Sequence, residues 1–277
     1  MEKKTTKATI RSTYEIFSSV KWEYERLNKK ECKIRGLVFS NEGAKGRVAL
    51  FDASKNQTGG VMAYWENESK GWVCISAPEP GYEIKAPTDM SGMFAGFDDL
   101  IYLDVTHLDV SQTWYFTSCF EEFGVQKGSE IIGLNTWDIS SGMDFKKMFS
   151  NAFRNNKNVE IDLFPGKFSD QLNQCFYNFA ENADAVKLNL SQWDVSNVYD
   201  FRMCFWNFAP RAKNVEIYGV ENWNVSKGTD FMGMFFNFAA QSTCKLDLSK
   251  WNVQKSCVHG GFQQNTFFKI KEPKWAN

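Results

Sequence analysis

The sequence predicts an α/β chain: a right-handed β/α solenoid of about six repeats of 26–30 residues, with a parallel sheet on one face and short helices on the other. Three observations carry this reading. Phenylalanine recurs at a nearly fixed interval, apolar residues flank each copy at helical spacing, and a short alternating run follows most copies at a constant distance.

The anchors are Phe94, Phe120, Phe149, Phe176, Phe205, Phe235 and Phe262. Met, Cys or Gly precedes each one (Met93, Cys119, Met148, Cys175, Cys204, Met234, Gly261), and Phe97, Phe123, Phe179, Phe208 and Phe238 follow three residues later. Four residues earlier stand Met90, Phe116, Phe145, Leu172, Phe201, Phe231 and Val258. Offsets of −4, −1, 0 and +3 share one face of an α-helix, so each repeat is expected to contain a helix of two to three turns. Asp89, Asp144, Asp200 and Asp230, at offset −5, are placed to cap it by accepting a free backbone N–H. Asn151, Asn178, Asn207 and Asn237 recur at offset +2, where an Asn near a helix end adopts the left-handed conformation or bonds free carbonyls.

Strands come next. Ile131–Leu134, Val159–Leu163, Val186–Leu190, Val215–Tyr218 and Lys245–Leu248 alternate with period two, which reads as half-buried and, one per repeat, parallel. Each then meets a corner: Trp137-Asp138-Ile139-Ser140, Trp193-Asp194-Val195-Ser196, Trp223-Asn224-Val225-Ser226 or Trp251-Asn252-Val253, with the Trp and the β-branched residue turned inward. The copy around Phe168 is degenerate, so the third repeat is expected to be the least regular.

Three regions follow. Residues 1–86 read as an α+β cap, with a helix over 8–28 and four strand-like runs (Ile34–Phe39, Arg47–Asp52, Gly60–Trp65, Gly71–Ser76) forming a small antiparallel sheet. Residues 87–256 are the repeats, and 257–277 a terminal cap.

Composition narrows the function. Lys plus Arg (32) nearly equals Asp plus Glu (33), which speaks against a nucleic-acid groove. No stretch of about 18 apolar residues occurs, so no membrane insertion is expected. The N-terminus develops no apolar run of about 7–15 residues, so no signal peptide is expected and the location is cytoplasmic or virion-associated unless a leader has been removed. Cys119, Cys175 and Cys204 alternate with Met at one buried position and read as core residues, with a disulfide framework or metal site as the alternative. His107 and His259 lie far apart in repeat order, so no histidine metal site is available. There is no Gly-rich phosphate loop, no ligand cluster and no nucleophile set beside a base, and the expectation is no enzyme, no cofactor and no metal.

Asp89-Met90-Ser91-Gly92-Met93-Phe94 with Leu103-Asp104-Val105 and Asp109-Val110-Ser111, and Leu188 to Val198, resemble the repeat of BspA-like bacterial leucine-rich-repeat surface proteins over roughly residues 87–256. The resemblance implies a leucine-rich-repeat-type solenoid, no catalytic residues, a cell-surface location, and roles in adhesion and protein binding.

Two surfaces are candidates. Offset +1 lies roughly 150° from the apolar stripe of a helix, yet Tyr177, Trp206 and Phe236 occupy it in three consecutive repeats, with Met203 at offset −2 beside them. Such a ridge would bind a partner, or its rings pack between repeats. On the sheet, Glu160, Lys187, Glu216 and Lys245 alternate in sign, and Asp104, Asp162, Asn189, Tyr218 and Asp247 form a mostly acidic column that either receives a basic partner or is simply solvated. The leading expectation is a non-catalytic module that binds a protein. The alternatives are a structural or virion assembly protein that associates with itself, and a glycan binder acting through the aromatic ridge.

Overall fold

The computed structural model describes residues 4–12, 14–16, 18–19, 34–266 and 270–275. It overturns the predicted β/α solenoid. The segments around the phenylalanine anchors are runs of tight turns, not helices, and the strands form several small sheets of mixed pairing.

The turns explain why the helical spacing misled. Residues at offsets −2 and +2 have positive φ in copy after copy, as at Ser118 (55°), Glu122 (59°), Gln174 (56°), Asn178 (51°), Met203 (54°) and Asn207 (53°). A left-handed residue every fourth position cannot belong to an α-helix. The backbone bonds divide in two. Amides at odd offsets close local three-residue turns, as Cys204 N–H to Phe201 O (3.1 Å) and Trp206 N–H to Met203 O (3.1 Å). Amides at even offsets point out of the copy and donate to the next one, as Met203 to Met232 O (2.9 Å), Phe205 to Met234 O (2.8 Å) and Asn207 to Phe236 O (2.7 Å). Each copy thus satisfies half its amides locally and half on its neighbour, and the apolar positions −4, −1, 0 and +3 still fall on one side. Asp89, Asp144, Asp200 and Asp230 accept the amide two residues on, each at 2.9 Å, so the capping carboxylate serves a turn in place of a helix.

The in-register copies stack their side chains. Phe94, Phe120, Phe149, Phe176, Phe205 and Phe235 form one column of near-parallel rings with centroids 5.1–5.5 Å apart. A second column runs Trp137, Phe164, Trp193, Trp223, Trp251. Each corner indole is buried and donates to a carbonyl of the preceding copy, as Trp193 to Phe164 O (3.1 Å) and Trp251 to Val220 O (3.0 Å). In the degenerate third copy Phe164 fills the Trp place, and Gly166–Gln171 becomes a strand with two register shifts against Trp193–Asp200. The last copy is offset by one from its predicted anchor: Phe262 O accepts from Phe235, which puts Phe262 at offset −1 and His259 at −4. Trp275 closes this end, stacked on His259 (4.4 Å) and packed against Phe231 and Phe262.

The alternating runs are parallel strands, but not one sheet. Asn158–Ile161, Ala185–Asn189 and Asn214–Tyr218 form a three-stranded sheet, while among the described residues Leu246–Asp247 pairs only with Ile270–Lys271. Glu130–Ile132 and Tyr102–Asp104 belong to a six-stranded sheet that continues into the N-terminal region. There, Phe51–Asp52, Met62–Asn67 and Trp72–Ser76 are antiparallel as expected, but Gly36–Ser40 runs parallel to both Trp72–Ser76 and Tyr102–Asp104. The sheet is therefore mixed and crosses residue 86. Of the helix expected over 8–28, residue 9 ends the strand Lys4–Thr9, residues 14–16 and 18–19 are helical, and 13, 17 and 20–28 lie outside the described residues.

Cys119, Cys175 and Cys204 sit fully buried in the turn core, and burial pushes their thiols up; that of Cys74 rises to about 11. The thiolate is the reactive form. Maleimide labelling at neutral pH, read by mass spectrometry, is expected to spare these four in the folded chain and to modify them in denaturant. Labelling of Cys175 without denaturant would mean that the turn core opens in the native state.

Candidate functional site

The turn ladder sets the geometry of the aromatic ridge. Tyr177, Trp206 and Phe236 occupy offset +1 of successive copies, whose side chains leave the tight turn on the side away from the phenylalanine column. All three are half-buried and lie outside the apolar core. They stack on one another: Tyr177 to Trp206 at 6.4 Å and 18°, Trp206 to Phe236 at 3.9 Å and 12°. Gly233 makes room for this, since a Cβ there would stand 2.6 Å from the Trp206 ring and 3.7 Å from Met203 Cγ. Met203 is half-buried, and its sulfur accepts from Gln174 Nε2 at 3.8 Å. These four residues are brought together, by stacked turns and not by the helical geometry expected of them.

The neighbouring offset, +2, carries an amide ladder. Asn178 Nδ2 donates to Asn151 Oδ1 (3.0 Å), Asn207 Nδ2 to Asn178 Oδ1 (3.0 Å), and Asn237 Nδ2 to Asn207 Oδ1. All four have φ between 51° and 56°, the left-handed region that Asn tolerates. The ladder fixes the spacing of the backbone from which the ridge projects.

The structure does not assemble the predicted sheet-face column. Asp104 lies in the six-stranded sheet, Asn189 and Tyr218 face each other in the three-stranded one, and Asp247 sits in a third. Each group is committed locally. Asp104 Oδ1 accepts Thr106 N–H (2.9 Å), Asp162 accepts Asn135 Nδ2 (2.8 Å), Asn189 accepts Ser191 N–H (3.1 Å), and the Tyr218 hydroxyl donates to Glu216 (2.6 Å). Asp162 and Asn189 line an open groove of about 610 Å³ with Glu160, Lys187 and Asn135, at the interruption between Glu130–Ile132 and Asn158–Ile161. Within it Lys187 pairs with Glu160 at 2.6 Å, which raises the lysine pKa. Exposed pairs of this kind contribute little to stability.

Asp247 is the most perturbed member. Hydrogen bonds from the Ser249 hydroxyl, from Lys271 and from the Ser249 backbone N–H hold its carboxyl at about 2, against an ordinary 3.8. A depressed folded-state pKa means that this contribution to stability is present above pH 3.8 and is lost as the pH falls through about 2. A carboxyl NMR titration is expected to place the wild-type midpoint near 2, moving toward the ordinary value in Ser249→Ala. An unmoved midpoint would assign the shift to Lys271 and to the Ser249 backbone N–H, which the substitution keeps.

Sequence reasoning missed another aromatic group. Trp114, Tyr115 and Met143 are exposed, at offsets −6 and −5, where the other copies carry Thr88, Asp170, Tyr199 and Thr229 at −6 and Asp or Gln171 at −5; Tyr199 is exposed as well. Among the described residues no group of three or more His, Cys, Asp or Glu is placed to hold a metal ion, and no described helix is long and apolar enough to cross a membrane.

A family profile described as "Mycoplasma protein of unknown function, DUF285" matches residues 80–164 and 170–277, more than half of the chain. This family is related to the BspA-like repeat proteins. No curated protein and no solved structure matches the chain.

Proposed function

The chain belongs to the DUF285 family, and from that premise we propose that it is a non-catalytic module that binds a partner protein, in the manner of a BspA-like surface or adhesion protein. The observation that carries the reading is the stacked column Tyr177–Trp206–Phe236 on the outside of the turn ladder. Rings held by their neighbours lose little side-chain entropy on binding, and Tyr and Trp are the residue types that dominate contact energetics at protein interfaces. The same stacking disfavours the glycan alternative. A sugar ring stacks on an open aromatic face, whereas Phe236 covers one side of Trp206 at 3.9 Å and Tyr177 flanks the other. The edges that remain suit an apolar protein pocket better.

The test is affinity capture with wild type and with the triple variant Tyr177→Ala, Trp206→Ala, Phe236→Ala, each accompanied by a thermal melt. A partner that is held by wild type, lost by the triple variant while that variant still melts cooperatively well above the assay temperature, and bound again as a purified protein supports the reading. Retention of the partner by the folded triple variant removes the ridge from the interface, and recovery of only the chain itself points to assembly with its own copies.

A further inference from the structure

A second surface of the turn ladder differs in kind from the ridge. Trp114, Tyr115 and Met143 are 49%, 42% and 47% exposed. The ladder sets them side by side, with Met143 N–H donating to Trp114 O at 2.7 Å, and Tyr115 bridged to Asp89 on one side and Asp144 on the other. The bridge from Asp144 to Gln171 brings the exposed Asp170 beside Met143. Trp114 and Tyr115 carry no ring contact among the described residues, so no aromatic ring covers them as Phe236 covers Trp206.

Three carboxylates flank these residues. Asp89 and Asp144 each commit one oxygen to a turn amide, from Ser91 and Lys146, both at 2.9 Å. Neither these two nor Asp170 forms an ion pair among the described residues. One cation, Lys146 at offset −3, lies near this edge. An apolar surface with exposed aromatic rings, edged by carboxylate oxygens that no ion pair engages among the described residues, is complementary to cationic side chains on apolar stems. Guanidinium and ammonium heads are drawn to ring faces and to carboxylates, and their methylene stems cover apolar surface.

We propose that Trp114, Tyr115 and Met143, edged by Asp89, Asp144 and Asp170, dock a basic, extended segment of a partner protein. The proposal shares with the function above the premise of a protein partner, but it places this contact on different columns of the ladder.

Fluorescence anisotropy tests it with a labelled peptide of alternating arginine and alanine, a glutamate–alanine peptide as control, and a neutral oligosaccharide as competitor. The variants are W114A/Y115A, D89N/D144N/D170N and the ridge triple variant. Asparagine keeps each turn-bonding oxygen and removes the charge, so the second variant retains the fold even if the first melts early. The basic peptide is expected to bind wild type in a salt-sensitive way, to bind the ridge variant equally, and to bind each patch variant about tenfold more weakly or less. Binding no tighter than the control peptide, equal binding by the folded patch variants, or competition by the oligosaccharide overturns the proposal. Loss in the ridge variant alone overturns it and leaves the ridge reading standing. Loss in the patch variants alone, with the ridge variant still holding its captured partner, supports it while the ridge reading falls.

Discussion

Replacing Phe176 by alanine is expected to cost about 4 kcal/mol of folding stability. The ring is fully buried between Phe149 at 5.5 Å and Phe205 at 5.4 Å, in near-parallel stacks. It also meets Phe179 edge-on at 5.5 Å and Trp193 at 5.7 Å. Removing it leaves a cavity in mid-column, and the neighbours cannot close in, because Phe149 and Phe176 are both tied by backbone amides to the copy that follows. Urea denaturation measures the loss. Phe236→Ala, on the half-buried ridge, is the control, with a cost of about 1 kcal/mol. A loss below about 1 kcal/mol for Phe176→Ala would mean that the column relaxes freely and that the ladder does not fix it.

Gly219→Ala is expected to cost about 3 kcal/mol for a different reason. Gly219 has φ of 94°, and a Cβ there would lie 2.4 Å from the Ser191 N and Cα and 2.7 Å from the Leu190 carbonyl carbon. All of these are backbone atoms of the preceding copy, so no rotamer relieves the clash. Gly59→Ala separates the two causes. Its φ is 72° but nothing lies within 4 Å of the added carbon, so it carries only the conformational cost, about 1 kcal/mol. Equal losses at the two sites, by the same denaturation assay, would show that the copies slide apart to admit the methyl group.

The periodicity was legible in the sequence because it reports which side chains share a core, and the structure keeps every anchor from Phe94 to Phe235 buried in register. The positions of the parallel strands and the inward Trp corners were legible for the same reason. The conformation between anchors was not. Offsets −4, −1, 0 and +3 satisfy a helix, but they also satisfy turns in which every fourth residue is left-handed. The deciding clue lay at the other offsets. Gly92 and Gly233 at −2, with Gly96, Asn151, Asn178, Asn207 and Asn237 at +2, are poor helix residues and good left-handed ones. Ser118, Glu122, Gln174 and Met203 hid the pattern, because nothing in their side chains announces positive φ. The ridge was found by its sequence offset, whereas the Trp114–Tyr115–Met143 patch needed the ladder that brings Asp170 beside it.

The division of amides between a copy and its successor also shapes how the chain reaches its native state. The links of the asparagine ladder span 27, 29 and 30 residues. Closing a loop costs in proportion to the logarithm of its length, so each added copy meets nearly the same entropic toll; the longer closures, such as Gly36–Ser40 on Tyr102–Asp104, are confined to the N-terminal sheet. Once two adjacent copies have docked, the exposed amides of the one and the free carbonyls of the other offer a template for the next. Assembly then proceeds as a zipper from an early nucleus, at a pace set by the first docking event.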